Sequence, residues 1–252
     1  MAATPKQERV FNESLSRFIV ESPVDVRTKV MNFAKYADRQ HITKFLARYE
    51  IFKMILEVQG NIVECGVYHG GGVMGWAQFC AIHEPFNYIR KIYGFDTFEG
   101  FPESAICERD TCLEHVERRE EFPIVGRSLM GPGLEEIRNA IEIFDLNRPI
   151  GHVPKVELVK GDATQTIPAF LESNPHMVVS LLNLDFDLYE PTKVAIEHFV
   201  PRMPKGGVIV FDELNNERWP GETLALLDSL GIGQLRIKRV PIEPMISYAV
   251  LE

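Results

Sequence analysis

The sequence predicts an α/β fold, a mostly parallel sheet preceded by a helical layer and finished by an antiparallel hairpin, on three observations. After Gly60 the chain alternates strand, glycine turn and helix, the rhythm of a parallel sheet with crossover helices. Two unbroken apolar runs, Met177-Val178-Val179-Ser180-Leu181-Leu182 and Val208-Ile209-Val210-Phe211, read as strands covered on both faces, and both lead into carboxylates. Their polar tips belong at the carboxyl edge, where open α/β sheets bind ligands. The last two apolar segments, 234–240 and 245–250, are separated only by Pro241-Ile242-Glu243-Pro244, a connection short enough for a hairpin.

The 252 residues fit one domain, a helical cap over 1–59 and a core over 60–252. In the cap, Ile42, Phe45, Leu46, Tyr49, Phe52 and Leu56 recur at three- and four-residue steps and predict a helix over 43–59. Shorter helices over 8–20 and 24–37 are separated by Ser22-Pro23, proline being suited to a helix start. Such a layer serves as a cap over a site or as a subunit contact; the pattern leaves both open. In the core, strands are expected at 61–67, 91–95, 156–159, 177–184 and 208–211, with a helix over 73–84 after the first. Residues 97–150 interrupt the alternation with a long charged segment that includes Glu114-His115-Val116-Glu117-Arg118-Arg119-Glu120-Glu121. It reads as a solvated helix face or as an inserted lid over the crevice. The chain holds no internal repeat and no low-complexity tract.

Composition narrows the function. With 27 Lys and Arg against 36 Asp and Glu, the net charge of -9 disfavours a surface that tracks phosphate backbones, so no nucleic-acid partner is expected. The longest apolar run falls well short of the ~20 residues a membrane helix needs, and the N-terminus lacks a signal-peptide pattern. A cytoplasmic protein without a membrane partner is the expectation. The four cysteines, Cys65, Cys80, Cys107 and Cys112, form no CxxC pair and are expected as free thiols, without zinc.

The first strand leads into Glu64-Cys65-Gly66-Val67-Tyr68-His69-Gly70-Gly71-Gly72, where glycines let the backbone turn sharply and approach a ligand. The spacing is not the dinucleotide fingerprint, which argues against a nicotinamide-dependent dehydrogenase, and no Lys-Ser/Thr pair is present for a nucleoside triphosphate. It does match the loops that bind S-adenosylmethionine (SAM), in which Glu64 faces the cationic amino end of the cofactor. A tight turn without a ligand explains the motif alone equally well. Asp96, ending the second strand, is placed to accept both ribose hydroxyls of an adenosine ligand, whether NAD or SAM. Asp162, in Lys160-Gly161-Asp162-Ala163, is placed to meet an adenine amino group.

Asp185 and Asp187 are two apart and share a side if the strand stays extended; with Asp212 and Glu213 they offer hard oxygen ligands for Mg²⁺ or a similar ion. A hydroxyl on that ion becomes more acidic, and a neighbouring carboxylate can take its proton during attack on a methyl group. The plainer alternative is that the two aspartates cap the helix starting near Pro191. His69 lies in the glycine loop, and Trp219-Pro220-Gly221-Glu222 is either a wall of the acceptor pocket or a helix start.

Phe95-Asp96-Thr97-Phe98-Glu99-Gly100-Phe101-Pro102, Lys160-Gly161-Asp162-Ala163, Leu184-Asp185-Phe186-Asp187-Leu188-Tyr189-Glu190-Pro191-Thr192 and Pro204-Lys205-Gly206-Gly207-Val208-Ile209-Val210-Phe211-Asp212-Glu213 together resemble the macrocin O-methyltransferase family. The resemblance covers roughly residues 61–230. It implies a class I methyltransferase (Rossmann-like) fold with a seven-stranded sheet, SAM and Mg²⁺ as cofactors, and methylation of a sugar hydroxyl on a natural product or sugar precursor. Carried over by position, it implies Asp185, Asp212 and Glu213 as metal ligands and Asp187 as the general base. The residues expected around SAM are Glu64, Gly66, Tyr68, Gly70, Asp96, Thr97, Asp162, Ala163 and Asp185. The family often shows two aspartates where this chain has Asp212-Glu213, and a smaller or polar residue in place of Phe186. A metal-dependent catechol or phenol methyltransferase and a non-catalytic SAM- or nucleotide-binding module are the alternatives. The expected partners are a small sugar-containing acceptor and further copies of the chain in a homo-oligomer.

Overall fold

The computed structural model describes residues 5–102, 106–110, 131 and 133–252. The chain divides into two compact units, Met1–Leu46 and Ala47–Glu252. The first carries α1 (Pro5–Glu21), α2 (Val26–Met31), a 3₁₀ turn over Phe33–Lys35, and the start of α3 (Arg39–Met54). Asp25 caps α2 by accepting from the Thr28 N–H at 3.0 Å. The single helix expected over 24–37 is broken at Asn32, whose side-chain amide donates to the Thr28 carbonyl at 2.9 Å as the chain tightens into the 3₁₀ turn. Phe18 and Tyr36 stack with ring centroids 5.4 Å apart, joining the two ends of this unit.

The second unit begins inside the expected cap. Ala47, Ile51, Phe52 and Ile55 are fully buried against Trp76 and Phe79, so residues 47–59 belong with the sheet. Helix α3 stops at Met54, five residues before the expected end. There the buried Arg90 captures the carbonyls that would have continued the helix: it donates to Ile55 O at 3.1 Å, Val58 O at 2.8 Å and Gly60 O at 2.9 Å.

Seven strands follow, β1 (Asn61–Cys65), β2 (Ile92–Asp96), β3 (Val156–Lys160), β4 (Val179–Leu184), β5 (Val208–Phe211), β6 (Lys238–Val240) and β7 (Glu243–Val250), in the order β3-β2-β1-β4-β5-β7-β6. The first five are parallel and β7 is antiparallel to both neighbours. The expected hairpin is present with a tighter connection, Pro241-Ile242, because Val240 already pairs with Glu243. The strand expected over 234–240 is shorter, since Ile232–Gln234 forms a 3₁₀ turn.

Strand alternation divides the core into two layers. Ile62, Ile92, Leu181, Val208 and Val210 pack with α3, α4 (Gly71–His83) and α5 (Leu134–Asp145). Val63, Cys65, Phe95, Leu182, Leu184, Ile209 and Phe211 pack with α6 (Ala163–Ser173), α7 (Tyr189–Phe199) and α8 (Gly221–Ser229). Within the segment 97–150 expected as a lid, α5 packs with the core instead: its Ile137, Ile141 and Phe144 are buried in the first layer, so this part is the crossover between β2 and β3. The charge run 114–121 and Cys112 lie outside the described residues. Cys65, Cys80 and Cys107 are free thiols, as expected, and burial pushes Cys80 up to about 12. Among the described residues no helix is long and apolar enough to cross a membrane.

Candidate active site

The carboxyl ends of the five parallel strands are tied to one another by one hydrogen bond beyond each ladder. Gly66 N–H donates to Phe95 O at 2.9 Å, Gly161 N–H to Asp96 O at 2.9 Å, Asp185 N–H to Cys65 O at 2.8 Å and Asp212 N–H to Leu184 O at 3.2 Å. The result is a rim on which Gly66, Asp96, Gly161-Asp162, Asp185 and Asp212 stand side by side. At Gly66, with φ +92°, a Cβ would lie 2.0 Å from the Asp185 carbonyl oxygen, so the tips of β1 and β4 approach only because that residue is glycine.

The glycine loop is shaped from below. Glu64, 1 % exposed, accepts from the Trp76 indole N–H and from the Asn183 amide at 3.2 Å. A Cβ at Gly72 would meet its Oε1 at 1.5 Å, which accounts for a glycine inside the first turn of α4. Burial pushes the Glu64 carboxyl up, opposed by the charge of Arg48. Glu64 therefore packs beneath the loop. Above it, Asp96 grips the loop: its Oδ2 accepts from the N–H groups of Val67 at 2.7 Å and Tyr68 at 2.9 Å, and its Oδ1 from Phe98 at 2.7 Å. Tyr68 and Phe98 both adopt positive φ, +51° and +57°, conformations this clamp holds. Oδ2 thus already accepts two backbone N–H groups, and the acceptor capacity left for a ribose lies on Oδ1. Thr97 Oγ1 donates to the Gly100 carbonyl, closing that loop. Gly70, left-handed at φ +81°, starts α4, and the Tyr68 ring stands half exposed, edge-on to His69 at 4.2 Å. Asp162 caps α6, accepting from Thr164 N–H at 2.9 Å and Thr164 Oγ1 at 2.7 Å, with Ala163 as the first helical residue.

At the acidic end, β4 stops at Leu184 and Asp187 takes φ +63°, so the extended strand that would have placed Asp185 and Asp187 on one side does not continue through them. Asp185 nevertheless feels three carboxylates. Burial, then Asp212, Asp187 and Glu64, push it well above the usual carboxylate range, opposed by Arg48, whose guanidinium lies 4.0 Å from Asp185 Oδ2. Glu213 follows Asp212 in a bend just past the end of β5. Its Oε2 accepts from the Asn216 amide at 2.6 Å, and its N–H donates to Glu222 Oε1 at 3.0 Å. Among the described residues no three His, Cys, Asp or Glu side chains are already posed around a common point for an ion.

Asp110 escaped the sequence reading, and Glu222 entered it only as part of Trp219-Pro220-Gly221-Glu222, where α8 does start, at Gly221. Asp110, fully buried, accepts from Tyr189 N–H at 2.6 Å and Cys107 N–H at 2.8 Å, pinning the start of α7 directly after Asp187. Glu222, 1 % exposed, has its Oε2 buried with no hydrogen-bond partner among the described residues. Burial pushes it well above the usual range, Asp212, Asp187 and Glu213 adding to the effect. Neither has a spacing signal; both are acidic residues in segments whose docking is set by tertiary contact.

A family model described as macrocin-O-methyltransferase (TylF) matches residues 43–221. The chain belongs to the macrocin-O-methyltransferase family. Within that family match lie Arg48 and every strand tip described above, whereas Glu222 falls one residue beyond it. The 8-demethyl-8-(2,3-dimethoxy-alpha-L-rhamnosyl)-tetracenomycin-C 4'-O-methyltransferase of Streptomyces olivaceus is 28% identical over 156 residues, covering 62% of this chain and 53% of the relative. The chain spans about half the length of the curated relatives it matches. Among solved structures, the calicheamicin methyltransferase CalS11 superposes with a TM-score of 0.88 at 30% identity, over 99% of this chain and 94% of that one. An apo structure of CalS11, described as a TDP-rhamnose 3'-O-methyltransferase, gives 0.82 at 28% identity, over 99% and 96%. The sheet of this macrocin-O-methyltransferase family member is accordingly the Rossmann-like sheet of class I methyltransferases.

Proposed function

We propose that the chain is a SAM- and Mg²⁺-dependent O-methyltransferase acting on a sugar hydroxyl, carried by a glycosylated natural product or a sugar precursor. The observation that supports it best is the rim itself: one hydrogen-bonded edge that presents a glycine turn, two strand-end aspartates and a carboxylate cluster in sequence across five strands. The glycine turn at Gly66 and Gly70 lets a ligand approach the backbone beside Tyr68 and Thr97, the remaining acceptor capacity of Asp96 Oδ1 suits a ribose hydroxyl, and Asp162-Ala163 suits the adenine. Glu64 serves as a buried countercharge beneath the cofactor's amino end.

The donor set fits a divalent cation. Asp185 and Asp212 are hard oxygen ligands in mutual repulsion, which the Arg48 guanidinium opposes at Asp185. Asp185, Asp212 and Glu213 are the residues that would hold the ion. When bound, SAM supplies an electrophilic methyl group and the cation acidifies the hydroxyl it touches. Asp187 takes the hydroxyl proton on a carboxylate oxygen, at a backbone position held in the left-handed region. Gly221 packs against the Asp187 carbonyl, a Cβ there meeting it at 2.8 Å, so α8 fixes the base from behind.

The chemistry of the rhamnose-modifying relatives supplies the assay. Purified protein given SAM with TDP-rhamnose, or with a rhamnosylated aglycone, should yield a product heavier by one methyl group. EDTA should abolish the transfer and added Mg²⁺ restore it. Transfer that persists unchanged in EDTA would remove the cation from the mechanism, and preferential methylation of a catechol would move the acceptor class.

A further inference from the structure

Among the described residues the two buried arginines, Arg90 and Arg148, spend side-chain donors on protein oxygens, and the partly buried Arg48 does not. Arg90 gives its N–H groups to four oxygens in addition to its ion pair with Glu84 at 2.8 Å. Arg148 pairs with Asp145 at 2.7 Å and donates to the Val153 carbonyl at 2.6 Å. Arg48 has a side chain only 17% exposed, yet among the described residues its guanidinium makes no hydrogen bond. Its one ion pair, to Asp185, spans 4.0 Å, beyond hydrogen-bonding distance. A guanidinium carries five donors in a fixed fork, and leaving them desolvated and unmatched is costly unless a ligand completes the geometry.

The position says which ligand. Arg48 follows Ala47 on the part of α3 locked into the core by Ile51 and Phe52, so the helix cannot swing it out to solvent. It faces Asp185, whose backbone touches Gly66 at the crossing from β1 to the glycine loop, and its charge acts also on Glu64 under that loop. A cation and carboxylates held apart at the mouth of a glycine turn complement a zwitterion, a ligand end carrying its own carboxylate and ammonium. Arg48 has no competing carboxylate at bonding distance, and the planar fork matches a carboxylate in two parallel hydrogen bonds.

We propose that Arg48 binds the α-carboxylate of the methyl donor and of its demethylated product, S-adenosylhomocysteine (SAH), an inference that rests on the cofactor reading above. The amino group of the same ligand end then faces the acidic side of the pair.

Calorimetry on the full chain in Mg²⁺ tests this with two ligands, SAH and its decarboxylated analogue, in which hydrogen replaces the carboxylate. The unaltered protein should bind SAH about 10- to 100-fold more tightly than the analogue, the range of a buried charge-assisted pair. Arg48→Gln should lose that factor for SAH and keep its affinity for the analogue within about 3-fold, while Arg48→Lys, a point charge without the fork, should fall between. Thermal melts without ligand check that each variant folds; if Arg48→Gln does not, Arg48→Lys carries the same comparison. The proposal is overturned if the unaltered protein does not discriminate between the two ligands, if Arg48→Gln binds SAH normally, or if it loses both ligands by the same factor. If the unaltered protein binds neither ligand, the cofactor reading itself fails and the role of Arg48 falls with it.

Discussion

Asp187→Asn should slow methyl transfer by about 10²- to 10⁴-fold, the usual contribution of a positioned general base, with SAH affinity unchanged. Asparagine is the informative replacement. It keeps the size and one acceptor oxygen, removes the basic site, and tolerates the left-handed backbone at φ +63° at least as well as aspartate. A drop in rate therefore cannot be blamed on a refolded loop, particularly as Asp110 on Tyr189 and Gly221 against the Asp187 carbonyl hold the segment from both sides. The measurement is single-turnover transfer from SAM at saturating acceptor. A variant as fast as the unaltered protein would remove Asp187 from the base role.

Gly66→Ala should be the most damaging single methyl group in the sheet domain. The new Cβ would stand 2.0 Å from the Asp185 carbonyl oxygen and 2.7 Å from its carbon, at a φ of +92° that side chains disfavour. Neither tip can retreat, because Asp185 N–H is bonded to Cys65 O and Gly66 N–H to Phe95 O. Overpacking against backbone together with a disfavoured φ costs about 3 kcal/mol or more, a fall in Tm of roughly 6–12 °C for a chain of this size. SAH binding should weaken in parallel, since the clash separates the glycine turn from the carboxylate cluster. Gly75→Ala is the matched control. Nothing lies within 4 Å of the Cβ it would add, and alanine in the middle of α4 should raise stability slightly. Melting curves of the two variants side by side check both signs; an unaltered Tm for Gly66→Ala would contradict the close approach of β1 and β4.

The parallel strands were legible because each is an apolar run that stops at a polar residue, and burial on both faces demands that pattern. Gly66 and Gly70 were legible as a turn for a similar reason. Helix α5 was not, although Ile137, Ile141 and Phe144 recur at helical steps, because the charged stretch before it made 97–150 read as one insertion. The break after Leu184 left no mark: neither glycine nor proline follows, and the left-handed turn at Asp187 is imposed by what packs around it. Asp96 illustrates a different limit. Its place at the end of β2 was readable, but that its oxygens accept backbone N–H groups from two loops depends on how those loops fold back. Arg48 was invisible for the same reason, a polar residue on an amphipathic helix whose neighbour is set 137 residues away by the tip of β4.

In the proposed mechanism the tip of β4 divides its labour, Asp185 for the cation and Asp187 for the proton. Binding of Mn²⁺, followed by its paramagnetic signal in the presence of SAH, separates the two directly. Asp185→Asn should weaken Mn²⁺ by at least about tenfold, as expected when one charged ligand of a small set is neutralised, and Asp187→Asn should bind it as the unaltered protein does. Equal loss in both variants, or loss only in Asp187→Asn, would contradict the assignment.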